Sequence, residues 1–490
     1  MKSVARNIFE LVYLFFLAAF LPRDAAKIYQ TIFMKLSQPR TVSILIIFLL
    51  IFSNCKSDKK QLALDISENE PNTEISNNQL LDIIQKQTFN YFWEGAEPNS
   101  GMGAERIHMD NIYPQNDQSV VTLGGSGFGV MAILVGVKRN FITREQALNR
   151  FIRIADFLEK ADRFHGAWPH WLNGKTGKVQ PFGKKDNGGD LVETAFMIQG
   201  LLTVSEYFKN GNEKEQSLVA KIDKLWREVE WDWYTKNGED VLYWHWSPEY
   251  GWEMNFPVGG YNECLIMYVL AASSPTHSIS KKVYDNGWAR NDSIISKDSM
   301  YGKPLVLDYF EGDDAPVGPL FWAHYSYLGL NPKGLKDKYA DYWQLTQNQA
   351  IIHHLYAVDN PEKYKFYGDS LWGLTSSYSI NGYNGHRPGN DLGVISPTAA
   401  LASFPYTPDE SMKMLQFLYT KQDTLIGKYG PYDAFSLDKK WYLPRYLAID
   451  QGPIPVMIEN YRSGMLWNLF MKNEDVQNGL DKLGFTYKKQ

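Results

Sequence analysis

Apolar positions recur at helical spacing from about residue 78 to the end of the chain, and no run of alternating strand character interrupts them. Leu80, Ile83, Ile84 and Tyr91 share one helical face, and Leu148, Phe151, Ile152, Ala155 and Leu158 repeat the pattern. The second series follows Thr143-Arg144-Glu145-Gln146, a capping box in which the threonine oxygen accepts from the third amide while the glutamine reaches back. Thr407-Pro408-Asp409-Glu410 and Ser396-Pro397 put proline at the first helical position, where its missing N–H costs nothing. These signals predict helices near 78–96, 124–138, 144–162, 190–209, 213–230, 261–273, 279–287, 318–328, 336–357, 397–403, 408–420, 453–471 and 474–483. The intervals 163–189, 231–259, 298–317, 373–396 and 424–450 hold much of the Gly, Pro and Trp, and loops of that length are uncommon unless they carry function. An all-α body with such loops fits one (α/α)6 toroid, in which alternate helices form inner and outer rings and the loops gather at one end. No composition shift divides 78–490 into further domains.

Composition narrows the function classes. The 490 residues are 44% hydrophobic and 14% aromatic, which is too apolar for a disordered chain. A net charge of −5 lacks the basic excess that a nucleic-acid partner would require. With Cys 2 there is neither a disulfide framework nor a cysteine metal set. The apolar runs Ile8–Leu21 and Val42–Phe52 are each shorter than the roughly 20 residues that cross a bilayer. The second follows Met34-Lys35 and Arg40 and ends in Ser53-Asn54-Cys55, so residues 1–55 resemble a bacterial lipoprotein leader with Cys55 as the lipidated residue. Asn54 departs from the small residue usual before that cysteine, a plain signal anchor is the alternative, and Met34 is an alternative start. Residues 56–77 form a polar tether. The expectation is an exported monomer, held to the outer membrane on its periplasmic or surface face through the lipid alone.

Three glycine-flanked groups of carboxylates carry the candidate chemistry. In Asp186-Asn187-Gly188-Gly189-Asp190-Leu191-Val192-Glu193 a helix begins at Asp190, so Asp190 and Glu193 serve either as a cap or as a pair projecting from one turn. Gly259-Gly260-Tyr261-Asn262-Glu263 opens an apolar helix, and Tyr261, Trp252 and Phe256 could supply the poorly hydrated surroundings that keep a carboxyl protonated. Asp433-Ala434-Phe435 precedes Ile449-Asp450-Gln451-Gly452-Pro453 and Ile458-Glu459-Asn460-Tyr461-Arg462, where Asp450 can cap a helix and Glu459 can pair with Arg462. Trp168, His170, Trp171, Trp244, Trp252, Trp322, His324 and Trp372 lie around them; sugar rings stack on aromatic faces, though Trp322 and Trp372 also read as core. Glu311-Gly312-Asp313-Asp314 lacks calcium-loop spacing, and phosphate-cradling, zinc and nucleophile-elbow motifs are missing, so neither metal nor cofactor is expected.

Gly318-Pro319-Leu320-Phe321-Trp322-Ala323-His324-Tyr325-Ser326, Trp372-Gly373-Leu374-Thr375-Ser376-Ser377, Ser396-Pro397-Thr398-Ala399-Ala400-Leu401-Ala402-Ser403 and the Asp450 to Arg462 stretch together resemble the glycoamylase-like domain, and more narrowly glycoside hydrolase family 144, the bacterial β-1,2-glucanases. The likeness runs over roughly 80–485. It implies the toroid and hydrolysis of β-1,2-glucan with inversion. It also places the family's acids on Asp190 and Glu193, with Asp186 in the leading loop, on Glu263 and on Asp450; inversion needs an acid and a base, read here as Glu263 and Asp450, with Asp190 and Glu193 binding the sugar or relaying a proton. Trp168, His170, Trp252, Trp322, His324, Asp186 and Glu459 are the expected sugar contacts. The alternatives are an exo-acting enzyme releasing sophorose or glucose, a related β- or α-glucosidase or transglycosylase, and a non-catalytic surface glycan-binding lipoprotein.

Overall fold

A computed structural model of the protein describes residues 75–309 and 317–489. Cys55, the leader, most of the tether and Glu311-Gly312-Asp313-Asp314 lie outside these residues. The chain is mostly helical, and its helices are of two kinds. Leu123–Lys138, Leu191–Phe208 and Leu265–Ser273 are buried on nearly every side, as helices that are apolar all round must be. Arg144–Lys160 and Glu213–Arg227 bury one stripe, the first with Ala147, Leu148, Phe151, Ile154, Ala155 and Leu158. The Thr143 capping box forms as expected, with Gln146 N–H donating to the Thr143 hydroxyl oxygen at 3.2 Å and Gln146 Oε1 accepting the Thr143 amide at 2.8 Å.

Leu123–Lys138 and Leu191–Phe208 make the most extensive helix pair. Small residues allow it: a Cβ on Gly127 would lie 2.3 Å from the Phe196 carbonyl oxygen, and one on Gly200 2.2 Å from that of Gly127. This close approach sets the first turn of one helix beside the first turn of the other, where Thr122, Gly124 and Glu193 meet. Glu474–Leu483 packs on Leu265–Ser273, and Pro453–Ser463 on Asn77–Trp93.

Four expectations change. The segment at 453–471 is two helices, Pro453–Ser463 and Met465–Phe470, because Gly464 at φ +68° ends the first. Residues 318–328 form two short 3₁₀ turns, Leu320–Ala323 and Ser326–Leu328, in place of one helix. The segment at 279–287 is one turn, Lys281–Val283, continued as the π-type turn Tyr284–Trp288. The loops are not free of strands: among the described residues they hold seven small sheets, including Val120–Thr122 with Trp171–Asn173 and Val179–Gln180. Arg106–His108 pairs with Arg445–Leu447, a long-range register that no local alternation announces. Among the described residues no helix is long and apolar enough to cross a membrane.

Glu459 belongs to this framework. Its fully buried carboxylate accepts Arg139 Nε at 2.6 Å and a second guanidinium N–H at 2.8 Å, and the Ser463 hydroxyl and Gln85 amide complete its shell. The i, i+3 pair with Arg462 does not form, since Arg462 turns to Asp82 at 2.6 Å and Gln85 at 2.7 Å. Arg139 ends the Leu123–Lys138 helix, so the pair ties that helix to Pro453–Ser463. Glu459→Ala should therefore cost about 3 kcal/mol in denaturant unfolding, while Arg139→Met combined with Glu459→Leu should cost less than the single change; equal losses would contradict the buried pair.

Candidate active site

A cavity of about 710 Å³ opens among the loops, walled by Glu105, Arg106, Trp171, Glu193, Glu263 and Tyr325 among others. A second, of about 880 Å³, shares His170, Phe182, Trp244, Glu263, Phe321 and Ser376 with it and continues past Asp186, Trp322 and Arg387. Glu263 thus lines both cavities, which join into one trough.

The first turn of Leu191–Phe208 supplies two of the acids. Asp190 is both cap and site residue: Oδ1 accepts the Glu193 amide at 2.9 Å, and Oδ2 accepts Trp244 Nε1 at 3.1 Å and meets His170 Nδ1 at 3.0 Å. Glu193 does not reach back to close a capping box. It crosses to the next helix and accepts the Gly124 amide at 2.7 Å, and a Cβ on Gly124 would sit 2.6 Å from that carboxylate oxygen. Burial works against Asp190 ionising, but the His170 hydrogen bond and the His245 and His170 charges outweigh it and hold its carboxyl below the usual range. Burial likewise works against the His170 cation, yet Glu193 and Asp190 raise its pKa to about 9, so the ring is charged at neutral pH. Glu193 is pushed up, first by burial and then by the Asp190 charge, against the pull of His170.

Glu263 stands at the mouth of Leu265–Ser273, its carbonyl held by the Ser326 hydroxyl. Burial, with smaller contributions from the Glu193 and Asp190 charges, raises its carboxyl from 4.5 to about 7. Asp450 lies just behind the wall formed by Leu447, Ile449 and Tyr325, 2% exposed and directed at Asp433. Burial and the Asp433 charge raise it well above the carboxylate range.

The trough therefore brings together Asp186, Glu193, Glu263, His170 and Trp322, with the fully buried Asp190 bonded to His170 and Trp244 in its wall and Asp450 behind it. Three other expected sugar contacts lie elsewhere. Trp168 is fully buried, its indole N–H on the Leu158 carbonyl at 3.1 Å, and it serves the site through its own carbonyl, which accepts the Asp190 amide at 2.9 Å. Trp252 packs on Trp233 with ring centroids 4.8 Å apart. His324 meets the Ser403 hydroxyl at 3.0 Å in the core, where burial lowers its pKa to about 3. Glu459 makes the fourth exception, as the framework ion pair requires, and Trp372 is core, donating to the Glu410 carbonyl.

Glu105, Arg106, Asp117, Phe182 and Tyr383 were not anticipated. Arg106 pairs with Glu105 and, at 3.2 Å, with Asp117, and lies 5.5 Å from the Trp171 ring centre. Glu105 and Arg106 reach the trough through the Arg106–His108 strand, whose partner lies at the far end of the sequence, so no local spacing marks them. His170, Asp186 and Asp190 bring three donor atoms within 4.8 Å, enough to hold a cation, although here the imidazole bonds Asp190 directly.

Buried carboxyls, one near neutrality, gathered at an aromatic trough on a helical body are the equipment of a glycoside hydrolase. The family model described as "Putative glucoamylase" matches residues 255–474. An endo-β-1,2-glucanase from Chitinophaga pinensis, solved with sophorotriose and glucose, is 59% identical and superposes with a TM-score of 0.82 over 84% of this chain and 99% of that one. A β-1,2-glucanase structure from Parabacteroides distasonis is 44% identical with a TM-score of 0.79, covering 84% of this chain and 60% of that one. An exo β-1,2-glucooligosaccharide sophorohydrolase acting at the non-reducing end, also from Parabacteroides distasonis, is 44% identical over 459 residues, 87% of this chain. The chain spans 62% of the length of that curated relative. It belongs to the glycoamylase-like glycoside hydrolases of family 144.

The raised pKa of Glu263 fixes a sign for stability. The folded state binds the extra proton between pH 4.5 and about 7, so stability falls as pH rises through that window. Glu263→Gln removes the ionisation, and its unfolding free energy should gain about 3 kcal/mol on wild type between pH 4.5 and 7. A constant difference across those buffers would contradict a desolvated Glu263.

Proposed function

We propose that the protein hydrolyses β-1,2-glucan with inversion at the anomeric carbon, as an exported, Cys55-anchored monomer that needs no cofactor. The observation that carries the reading is Glu263, a carboxyl near neutrality that lines both cavities of the trough. The named activities of the Chitinophaga pinensis and Parabacteroides distasonis relatives supply the substrate class. The helices buried all round form the inner ring of an (α/α)6 toroid in this reading, and the one-striped helices the outer ring.

Glu263 donates its proton to the leaving glycosidic oxygen. On the opposite face of the ring a water attacks the anomeric carbon and gives its proton to Asp450, which inversion requires of a second carboxyl. The charged His170 ring, oriented by Asp190, and the Glu193 carboxyl grip the sugar hydroxyls at the cleavage point. Trp171, Phe182 and Trp322 offer faces for neighbouring glucosyl units. Because two cavities join at Glu263 and leave room for several glucosyl units, attack within a chain is the favoured mode. Release of sophorose from chain ends is the second reading, favoured by the exo-acting relative.

Purified protein incubated with linear β-1,2-glucan should give products whose newly formed reducing ends are first seen as the α-anomer by proton NMR, with a broad range of lengths at early times. Sophorose alone from the outset would support the exo reading, and an initial β-anomer would exclude inversion. Glu263→Gln should lower kcat at least about 100-fold and remove the alkaline limb, which in wild type falls near pH 7. A variant with full turnover would take Glu263 out of the acid role.

A further inference from the structure

The pair Asp433 and Asp450 contains more than a single base requires. Both carboxyls are 2% exposed, and they lie close enough for each to set the other's proton affinity. Asp433 Oδ2 accepts the Tyr378 amide at 2.9 Å. Asp433 Oδ1 and both oxygens of Asp450 meet no N–H or O–H donor in full hydrogen-bond geometry; the Tyr325 hydroxyl approaches Asp450 more loosely from the trough. Two ionised carboxylates are acceptors only, and a proton held between them would satisfy oxygens that no amide or guanidinium reaches. The amide on Asp433 stabilises negative charge there, and Asp450 has no equivalent donor.

Asp433 is held to its task by backbone bonds on both sides. Its amide donates to the Arg445 carbonyl at 2.9 Å, and its carbonyl accepts the Ser396 hydroxyl at 2.7 Å. The Tyr378 amide it receives lies in strand Ser376–Ser379, which pairs with Gly382–Gly385, the strand that carries Tyr383 over the trough. The charged and titratable groups facing the pair are Glu105, Tyr325, Tyr378 and Tyr383, with Arg106 and Arg445 acting through Tyr378. Glu105 adds negative charge to both acids.

We propose that Asp433 and Asp450 share one proton, resting on Asp450, and that Asp433 is the positioning residue that takes it up during the reaction. The inference rests on the inverting reading of the site. As water bonds to the anomeric carbon, one of its O–H bonds breaks and a new O–H forms on Asp450. Asp450's own proton passes to Asp433, while the leaving oxygen takes the Glu263 proton as the glycosidic bond breaks. The step begins with Asp433 ionised and ends with Glu263 ionised, so protons and charge balance, and solvent exchange restores the start. Burial raises both acids, Asp450 further because its neighbour's charge adds to that effect and Asp433 less because Asp450 and the Tyr378 amide bond to it.

Infrared difference spectra across a pH series, together with kinetics on linear β-1,2-glucan, test this. In a Glu263→Gln background a protonated-carboxyl C=O band should persist into mildly alkaline buffer, vanish in Asp450→Asn and shift in frequency and titration in Asp433→Asn. Asp433→Asn keeps the oxygen that accepts the Tyr378 amide, so the fold should survive. It should lower kcat at least about 10-fold with KM little changed and move the acidic limb of the profile, with Asp433→Glu recovering part of the loss. A missing band, or an Asp433→Asn enzyme with wild-type kcat and acidic limb, would overturn the proposal. If wild type shows the band and its two mutant responses but does not turn over the glucan, the shared proton stands and the glucanase reading fails; turnover without the band gives the reverse.

Discussion

A carboxyl removed from water must be neutralised, paired or hydrogen-bonded, and in this protein that cost falls on acids gathered around one trough. Asp190 answers with a charged histidine and an indole N–H, Glu193 with the first turn of a neighbouring helix, Asp433 with a backbone amide, and Glu263 with retention of its proton. Different answers give neighbouring acids different proton affinities. General acid catalysis and base catalysis need that separation, and neither burial alone nor charge alone would supply it.

The separation depends on backbone precision. Glu193 can reach the Gly124 amide only because the Leu123–Lys138 and Leu191–Phe208 helices meet through glycines, with Gly127 and Gly200 at the point of contact. The Arg139–Glu459 pair ties the far end of one of these helices to the helix that follows Asp450. A framework ion pair remote from the trough thus fixes the relative position of acids contributed by widely separated parts of the chain.

Much of this was legible in the sequence, in proportion to how local each signal is. Capping chemistry located the starts of Arg144–Lys160 and Leu191–Phe208, and a first-position proline that of Pro408–Thr420, since such a signal and its helix occupy a few adjacent positions. The glycine-flanked acids marked Asp190, Glu193 and Glu263 for the same reason. Trp168, His324 and Glu459 were misplaced because a polar or aromatic residue near a motif looks the same whether it faces a cavity or fills the core; only the Leu158 carbonyl, Ser403 and Arg139 decide. Glu105 and Arg106 stayed hidden because the pairing of Arg106–His108 with Arg445–Leu447 leaves no periodic trace. The strands in the loops are two to four residues long, too short for alternation to register.

The proton on Glu263 carries the heaviest part of the mechanism, and it can be observed without substrate. Carbon-13 NMR of protein labelled at glutamate side-chain carboxyls, with the Glu263 resonance assigned by comparison with Glu263→Gln, gives its titration directly. A midpoint near 7 is expected. A midpoint near the ordinary 4.5 would mean a hydrated, ionised Glu263 and would contradict the proposal that it is the proton donor.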